Sequence, residues 1–170
     1  MRPYILTKPG ALLFRHAPSE TDITAIRDIV ASTGFFNAEE IAIAVELVEE
    51  RLQRGEKSGY HFVFAQTPDD RVVGYACYGP ISGTKSSFDL YWIAVHTDAR
   101  GKGLGGVLME KAESAMADMG AVRVYAETSS RAQYKPTRSF YEKQGYVQTA
   151  LMEDFYDEGD GKVVYMKKVR

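Results

Sequence analysis

At 170 residues, with 45% hydrophobic and 26% charged side chains, the chain has the size and composition of one ordinary globular domain, not of a disordered or fibrous protein. Its 21 basic and 23 acidic residues give a formal net charge of -2 and form no long like-charge run, which argues against the basic face that nucleic-acid binding needs. The lone cysteine, Cys77, can make neither an internal disulfide nor a zinc cage, so no metal site is expected.

Ala11 to Arg15 is a short apolar run, and Ser19 followed by Asp22 resembles a capping pair opening a helix through Ile23, Ile26 and Val30. Ser32-Thr33-Gly34 breaks that helix, and the aromatic loop Phe35-Phe36-Asn37 leads to a second one, whose apolar face is Ile41, Val45, Val48 and Leu52 and whose end lies near Gly55. His61 to Gln66 and Arg71 to Gly79 read as an antiparallel hairpin around Pro68-Asp69-Asp70, with Cys77 a buried thiol in the second strand. After the loop 82–87 comes a strand from Asp89 to Val95, apolar enough to be buried on both faces. Then follow the glycine-rich segment Arg100 to Gly106, a long helix carrying Leu104, Val107, Leu108, Ala112 and Met116, and the closing Gly120. Ala121 to Glu127 is a strand and Pro136 to Gln144 a short helix with proline at its start and Gly145 past its end. Tyr146 to Met152 and Lys162 to Val169 are the last strands.

Nothing along this order is long and apolar enough to span a bilayer, and Met1 to Pro9 carries no apolar run of the kind a signal peptide has. A cytoplasmic protein with no membrane partner is the expectation.

A strand that ends in a glycine-rich turn opening a helix presents backbone N–H groups at the positive end of the helix dipole, so an anion site is expected at Arg100, Gly101, Lys102, Gly103, Leu104, Gly105 and Gly106. Glycine lets the backbone approach phosphate oxygens, and Arg100 and Lys102 add charge at the rim. Gly101, Gly103 and Gly106 also satisfy the dinucleotide pattern GxGxxG, with Glu127 about twenty residues further on, so a nucleotide-binding redox protein is a genuine alternative. Against it stands the order of elements: a dinucleotide fold begins with this unit, whereas here several strands precede it. A Walker A loop is excluded because Lys102 lacks the required glycine spacing and the following Ser or Thr.

The spacing Arg100, Gly103, Gly105 resembles the Arg/Gln-x-x-Gly-x-Gly/Ala pyrophosphate loop of the GNAT superfamily of acetyl-CoA-dependent N-acetyltransferases. Ser139-Phe140-Tyr141-Glu142-Lys143-Gln144-Gly145-Tyr146 is similar to that family's short helix with its aromatic-tyrosine pair, and the order of elements agrees over nearly the whole chain. The resemblance implies one α/β domain over residues 1–170, built on a mixed, mostly antiparallel seven-stranded sheet flanked by about four helices. It implies acetyl-CoA as cosubstrate, entering where two parallel strands splay, and direct transfer to an amine of a small molecule or peptide in a ternary complex. The family's habit also admits a homodimer.

Site residues follow by the same resemblance. Backbone groups of Ile93, Ala94 and Val95 would pair with pantetheine, the Val95 amide facing the thioester oxygen. Tyr141 matches the general acid for the departing thiolate, a role that suits a phenol of pKa about 10. An alkylammonium of pKa about 10.4 needs a base. Asp89 sits at an offset before Arg100 that resembles the base glutamate of the histone-acetylating branch. Read by its own chemistry, Asp89 is a strand-end or turn aspartate, and the alternative for Tyr141 is a packing tyrosine. Glu127, Phe35 and Phe36 are candidates for the acceptor side, and the acidic stretch Glu153 to Asp160 for a rim that steers cations or, alternatively, a polar hairpin turn. His96 offers a base of suitable pKa or a plain strand-end residue. A catalytically idle acyl-CoA-binding module is the remaining alternative.

Overall fold

Apolar periodicity and turn residues divide residues 12–170, which the structure (a computed structural model) describes, into strands and α-helices in the order anticipated above. In chain order these are β1 (Leu13–Arg15), α1 (Thr21–Ser32), α2 (Ala38–Arg54), β2 (His61–Gln66), β3 (Val72–Pro80) and β4 (Ser87–Val95). After them come α3 (Leu104–Asp118), β5 (Arg123–Ser129), α4 (Lys135–Lys143), β6 (Val147–Asp157) and β7 (Asp160–Lys168). The strands hydrogen-bond as one seven-stranded sheet in the order β1-β2-β3-β4-β5-β7-β6. The pairs β1–β2, β2–β3, β5–β7 and β6–β7 are antiparallel and β4–β5 is parallel, so the expected α/β class with a mixed, mostly antiparallel sheet holds. Ala11 of the expected first strand, and Met1 to Pro9, lie outside the described residues.

Two compact units divide the chain: one runs to Tyr78 and takes in Trp92–Ala112, the other is Gly79–Tyr91 with Glu113–Arg170. In the first unit the inward faces of α1 (Ile26, Ile29, Val30) and α2 (Ala44, Val45, Val48) close on Phe62, Phe64, Tyr75, Cys77 and Ala94. Phe62 and Phe64 stack with their ring centroids 5.5 Å apart. Cys77 is fully buried and unpaired, and burial pushes its thiol pKa well up, so it is an inert core residue. The helix α2 starts at a capping box: Asn37 Oδ1 accepts from the Glu40 amide at 2.9 Å, while Glu40 Oε2 accepts from the Asn37 amide at 2.9 Å.

Ser19 and Asp22 behave differently from the capping pair anticipated. The Asp22 carboxylate does accept from the Ser19 amide at 2.7 Å, but the Ser19 side chain does not cap the helix. Asp22 is instead fully buried and accepts from the two terminal guanidinium nitrogens of Arg15, at 2.8 and 2.5 Å. A buried carboxylate must be paired, and this requirement takes precedence over a local cap.

In the second unit, Phe88, Leu90, Val124, Ala126, Tyr141, Tyr146, Val163 and Tyr165 are buried. The parallel register sets Asp89 beside Tyr125 and Leu90 beside Ala126. The hairpin of β6 and β7 is longer than the apolar pattern suggests. β6 continues through Glu153 to Asp157, leaving only a tight turn at Glu158 and Gly159 before the Asp157–Asp160 pair. Every residue of β6 is exposed, so no apolar alternation was required of it, and its acidic half reads as a loop. Among the described residues no helix is long and apolar enough to cross a membrane.

Candidate functional site

In the first unit β4 delivers Ile93, Ala94 and Val95, and the chain then turns through Thr97–Ala99 into the glycine segment. Gly101 and Gly103 hold φ of +77° and +78°, a region that side-chain-bearing residues rarely adopt. A Cβ built on either would meet nothing within 4 Å. Glycine is therefore needed for the backbone's path and not to avoid a neighbouring atom. The first α3 bond runs from the Val107 amide to the Gly103 carbonyl at 3.3 Å, so the amides of Leu104, Gly105 and Gly106 lie ahead of the helical ladder. Leu104 and Leu108 are buried and anchor the helix behind the loop. Leading amides at a helix start are the kind of donor that attracts an anion, and Arg100 and Lys102 are the basic residues of this segment.

Arg100 is oriented by its own neighbourhood. Its Nε donates to the Val95 carbonyl at 3.2 Å, and the guanidinium lies 5.8 Å from the centroid of the Phe35 ring. Phe36 is edge-on to Trp92 at 4.9 Å, packed against the core. The exit of β4 is tied down at several points. The His96 amide donates to the Val73 carbonyl at 2.8 Å, Thr97 Oγ1 donates to the Ser32 carbonyl at 2.8 Å, and Asp98 joins Arg71 to His96. Gly74 lies under this exit: an added Cβ would come within 2.9 Å of Leu108 Cδ1 and 3.2 Å of the Ala94 carbonyl oxygen. His96 thus takes part in a strand-end network.

In the second unit, Asp89 on β4 and Glu127 on β5 come together. Burial, reinforced by the charge of Glu127 and opposed by Lys162, pushes the Asp89 carboxyl up to about 6. Lys162 on β7 sits 2.8 Å from Glu127 Oε2, with its ammonium 4.3 Å from the centroid of the Phe155 ring. Tyr141, only 6% exposed, stands in a different setting, an aromatic cluster with Phe140, Tyr146 and Tyr165 at centroid distances of 5.8, 5.8 and 5.6 Å. Burial holds its phenol well above the usual value. A third polar group, at the β6–β7 turn, joins Ser129, Asp160 and Arg131: Ser129 Oγ donates to Asp160, and Arg131 Nε lies 3.2 Å from the same carboxylate.

Reading the chain did not single out Thr97, Asp98, Ser129 or Arg131, and it took Ser32, Arg71 and Lys162 only as markers of element ends. Arg71 and Asp98 are far apart in sequence, and only the fold brings them together. A shallow groove of about 560 Å³ between α1 and α2, lined by Arg27, Ile41, Val45 and Glu46, shares no residue with the loop. Among the described residues no three His, Cys, Asp or Glu are grouped to hold a metal ion.

Residues 57–148 match the family model described as an acetyltransferase (GNAT) domain. A solved structure from Desulfovibrio desulfuricans, assigned to the acetyltransferases of the GNAT family, is 43% identical, covers 94% of this chain and 100% of its own, and superposes with a TM-score of 0.92. The chain belongs to the GNAT family of acetyltransferases. It is accordingly an acyltransferase, and the dinucleotide reading of Gly101 to Gly106 is set aside. More distant structures share the GNAT fold. An aminoglycoside 6'-N-acetyltransferase complexed with coenzyme A is 17% identical, with a TM-score of 0.73 and coverage of 93% of this chain and 97% of its own. The ribosomal-protein-S18-alanine N-acetyltransferase of Escherichia coli is 19% identical, with a TM-score of 0.70 and coverage of 92% and 94%. No curated protein sequence matches the chain.

Proposed function

We propose that this GNAT protein is one N-acetyltransferase domain, residues 1–170, that moves the acetyl group of acetyl-CoA onto an amine by direct transfer in a ternary complex. The observation that carries the reading is the loop before α3, where Gly101 and Gly103 at positive φ, with no atom within 4 Å of an added Cβ, lead into a helix start whose first amides lie ahead of the helical ladder. The amides of residues 101–106 would hold the pyrophosphate, with Arg100 and Lys102 countering its charge. Backbone groups of Ile93, Ala94 and Val95 would hold the pantetheine arm, and the Val95 amide would donate to the thioester oxygen as negative charge develops there. When bound, acetyl-CoA supplies an activated acyl group whose leaving group is a thiolate.

The chain's own residues then handle protons. Asp89, with a carboxyl held near 6, is mostly ionised at neutral pH and is the general base that takes up, directly or through water, the proton the amine loses on its way to the amide. Tyr141 stays protonated across the working range and is the proton donor to the thiolate. Glu127 flanks Asp89, Phe35 and Phe36 border the acceptor side, and the exposed acids of β6 would steer a cationic amine toward the enzyme. Cys77, fully buried, forms no acyl-enzyme.

A thermal-shift titration with acetyl-CoA, coenzyme A, NAD and FAD tests the assignment. Stabilisation by both coenzyme A species and not by the dinucleotides is expected. A shift with the dinucleotides alone would overturn it.

A further inference from the structure

Asp98 stands two residues before Arg100, inside the turn Thr97–Ala99. One carboxylate oxygen accepts from Arg71, just ahead of β3, at 2.8 Å, and the other lies 2.7 Å from His96 Nδ1. His96 Nδ1 is also 3.3 Å from the Asp98 amide, but a protonated Nδ1 cannot accept there. The shorter contact, to a charged acceptor, decides that Nδ1–H donates to the carboxylate. Partial burial raises the Asp98 pKa, but the bonds from Arg71 and His96 outweigh it and the carboxyl sits below its ordinary value, so it is ionised at neutral pH.

The three side chains are 22 to 36% exposed, a setting in which ion pairs add little to global stability. Their placement has another consequence. The loop that follows contains two positive-φ glycines, the most freely moving kind of backbone, and binding an anion there requires that freedom to be lost. A clamp at the loop's entrance removes part of it beforehand.

We propose that Asp98 is a positioning residue for the pyrophosphate loop: by joining Arg71 and His96 it fixes the turn from which Arg100 and the amides of 101–106 are directed, and it raises affinity for the diphosphate part of the coenzyme without touching it. The inference rests on the coenzyme reading above.

Calorimetric titration of coenzyme A and of pantetheine, which lacks the diphosphate, into the wild type, Asp98→Asn, Arg71→Gln and the double variant provides the test. Asp98→Asn is expected to raise the Kd for coenzyme A about tenfold, to change that for pantetheine less than twofold, and to leave the melting temperature within a few degrees. Arg71→Gln should reproduce a large part of the loss, and the double variant should lose less than the sum of the two. Unchanged coenzyme A affinity in both single variants, or equal losses for coenzyme A and pantetheine, would overturn the role of Asp98 while leaving the coenzyme reading intact. A wild type that does not bind coenzyme A would overturn that reading and this inference together.

Discussion

The ammonium of Lys162 lies 2.8 Å from a carboxylate oxygen of Glu127, and these two opposed charges act together on Asp89, one raising its pKa and the other lowering it. The acidity of the proposed base is therefore adjustable from two positions, Glu127 and Lys162.

The rate of an acetyltransferase using Asp89 as base should fall as the pH drops through about 6. Glu127→Gln removes the charge that favours protonation and leaves Lys162 facing Asp89, so this limb should move to lower pH. Lys162→Met should move it to higher pH. Profiles of kcat/KM against pH read both displacements, and a limb that stays in place in both variants would show that another group titrates.

The same carboxyl makes a stability prediction of opposite sign to the usual aspartate. Its folded pKa, about 6, exceeds the ordinary value of 3.8, so between these values the folded chain holds more protons than the unfolded one and stability falls as pH rises. The benefit of a protonated Asp89 is complete below 3.8 and gone above 6. Asp89→Asn is expected to stabilise the protein at pH 7.5 by about 1 kcal/mol, allowing for solvent screening of a partly exposed group, and to have little effect near pH 4. Urea unfolding at the two pH values measures the difference.

Tyr141→Phe keeps the ring that packs against Tyr146 and Tyr165 and removes only the hydroxyl. Turnover should drop on the order of 100-fold, with coenzyme A affinity changed less than threefold and little change in melting temperature. A burst assay of thiol release with a saturating amine separates chemistry from binding. Equal losses in turnover and affinity would return Tyr141 to a packing role.

Two glycines of the first unit should fail for different reasons. Gly103→Ala introduces a side chain that meets no atom but sits at φ of +78°, so its cost is conformational, about 1 kcal/mol, and falls on the loop: coenzyme A binding weakens severalfold. Gly74→Ala has no such strain. Its Cβ would crowd Leu108 and the Ala94 carbonyl, pushing on the end of β4, and should lower both the melting temperature and coenzyme A affinity. Differential scanning fluorimetry with and without coenzyme A distinguishes the two patterns.

How far the chain could be read before its fold was known depends on the range of the interaction. The helix ends, the hairpin at Pro68 to Asp70 and the glycine loop are local, and local chemistry placed them to within a residue or two. The ties that orient the loop and the carboxylate pair are not local. Arg71 meets Asp98, and Glu127 meets Lys162, only because particular strands and turns are brought together. No spacing rule marks such partners, and each of them alone reads as an ordinary surface charge. The acidic half of β6 failed for the complementary reason: a fully exposed edge strand carries no burial pattern to recognise.

The pair Arg15–Asp22 gives the clearest stability prediction in the molecule. Asp22 is fully buried and is bonded by the two terminal guanidinium nitrogens of Arg15 and by the Ser19 amide, so its charge is well compensated. Arg15 in turn lies over the Phe64 ring at 4.5 Å, coupling the pair to the core of the first unit. Arg15→Met leaves the aliphatic stem on Phe64 but strands the carboxylate, and should destabilise the fold by about 3 kcal/mol. Adding Asp22→Leu to it replaces the buried ion pair by apolar contacts and should recover a large share of that loss, since a stranded charge costs more than an absent one. Urea denaturation of the wild type and the two variants measures both steps. A double variant no more stable than Arg15→Met would show that the bonds from Ser19, and not the guanidinium, hold the start of α1.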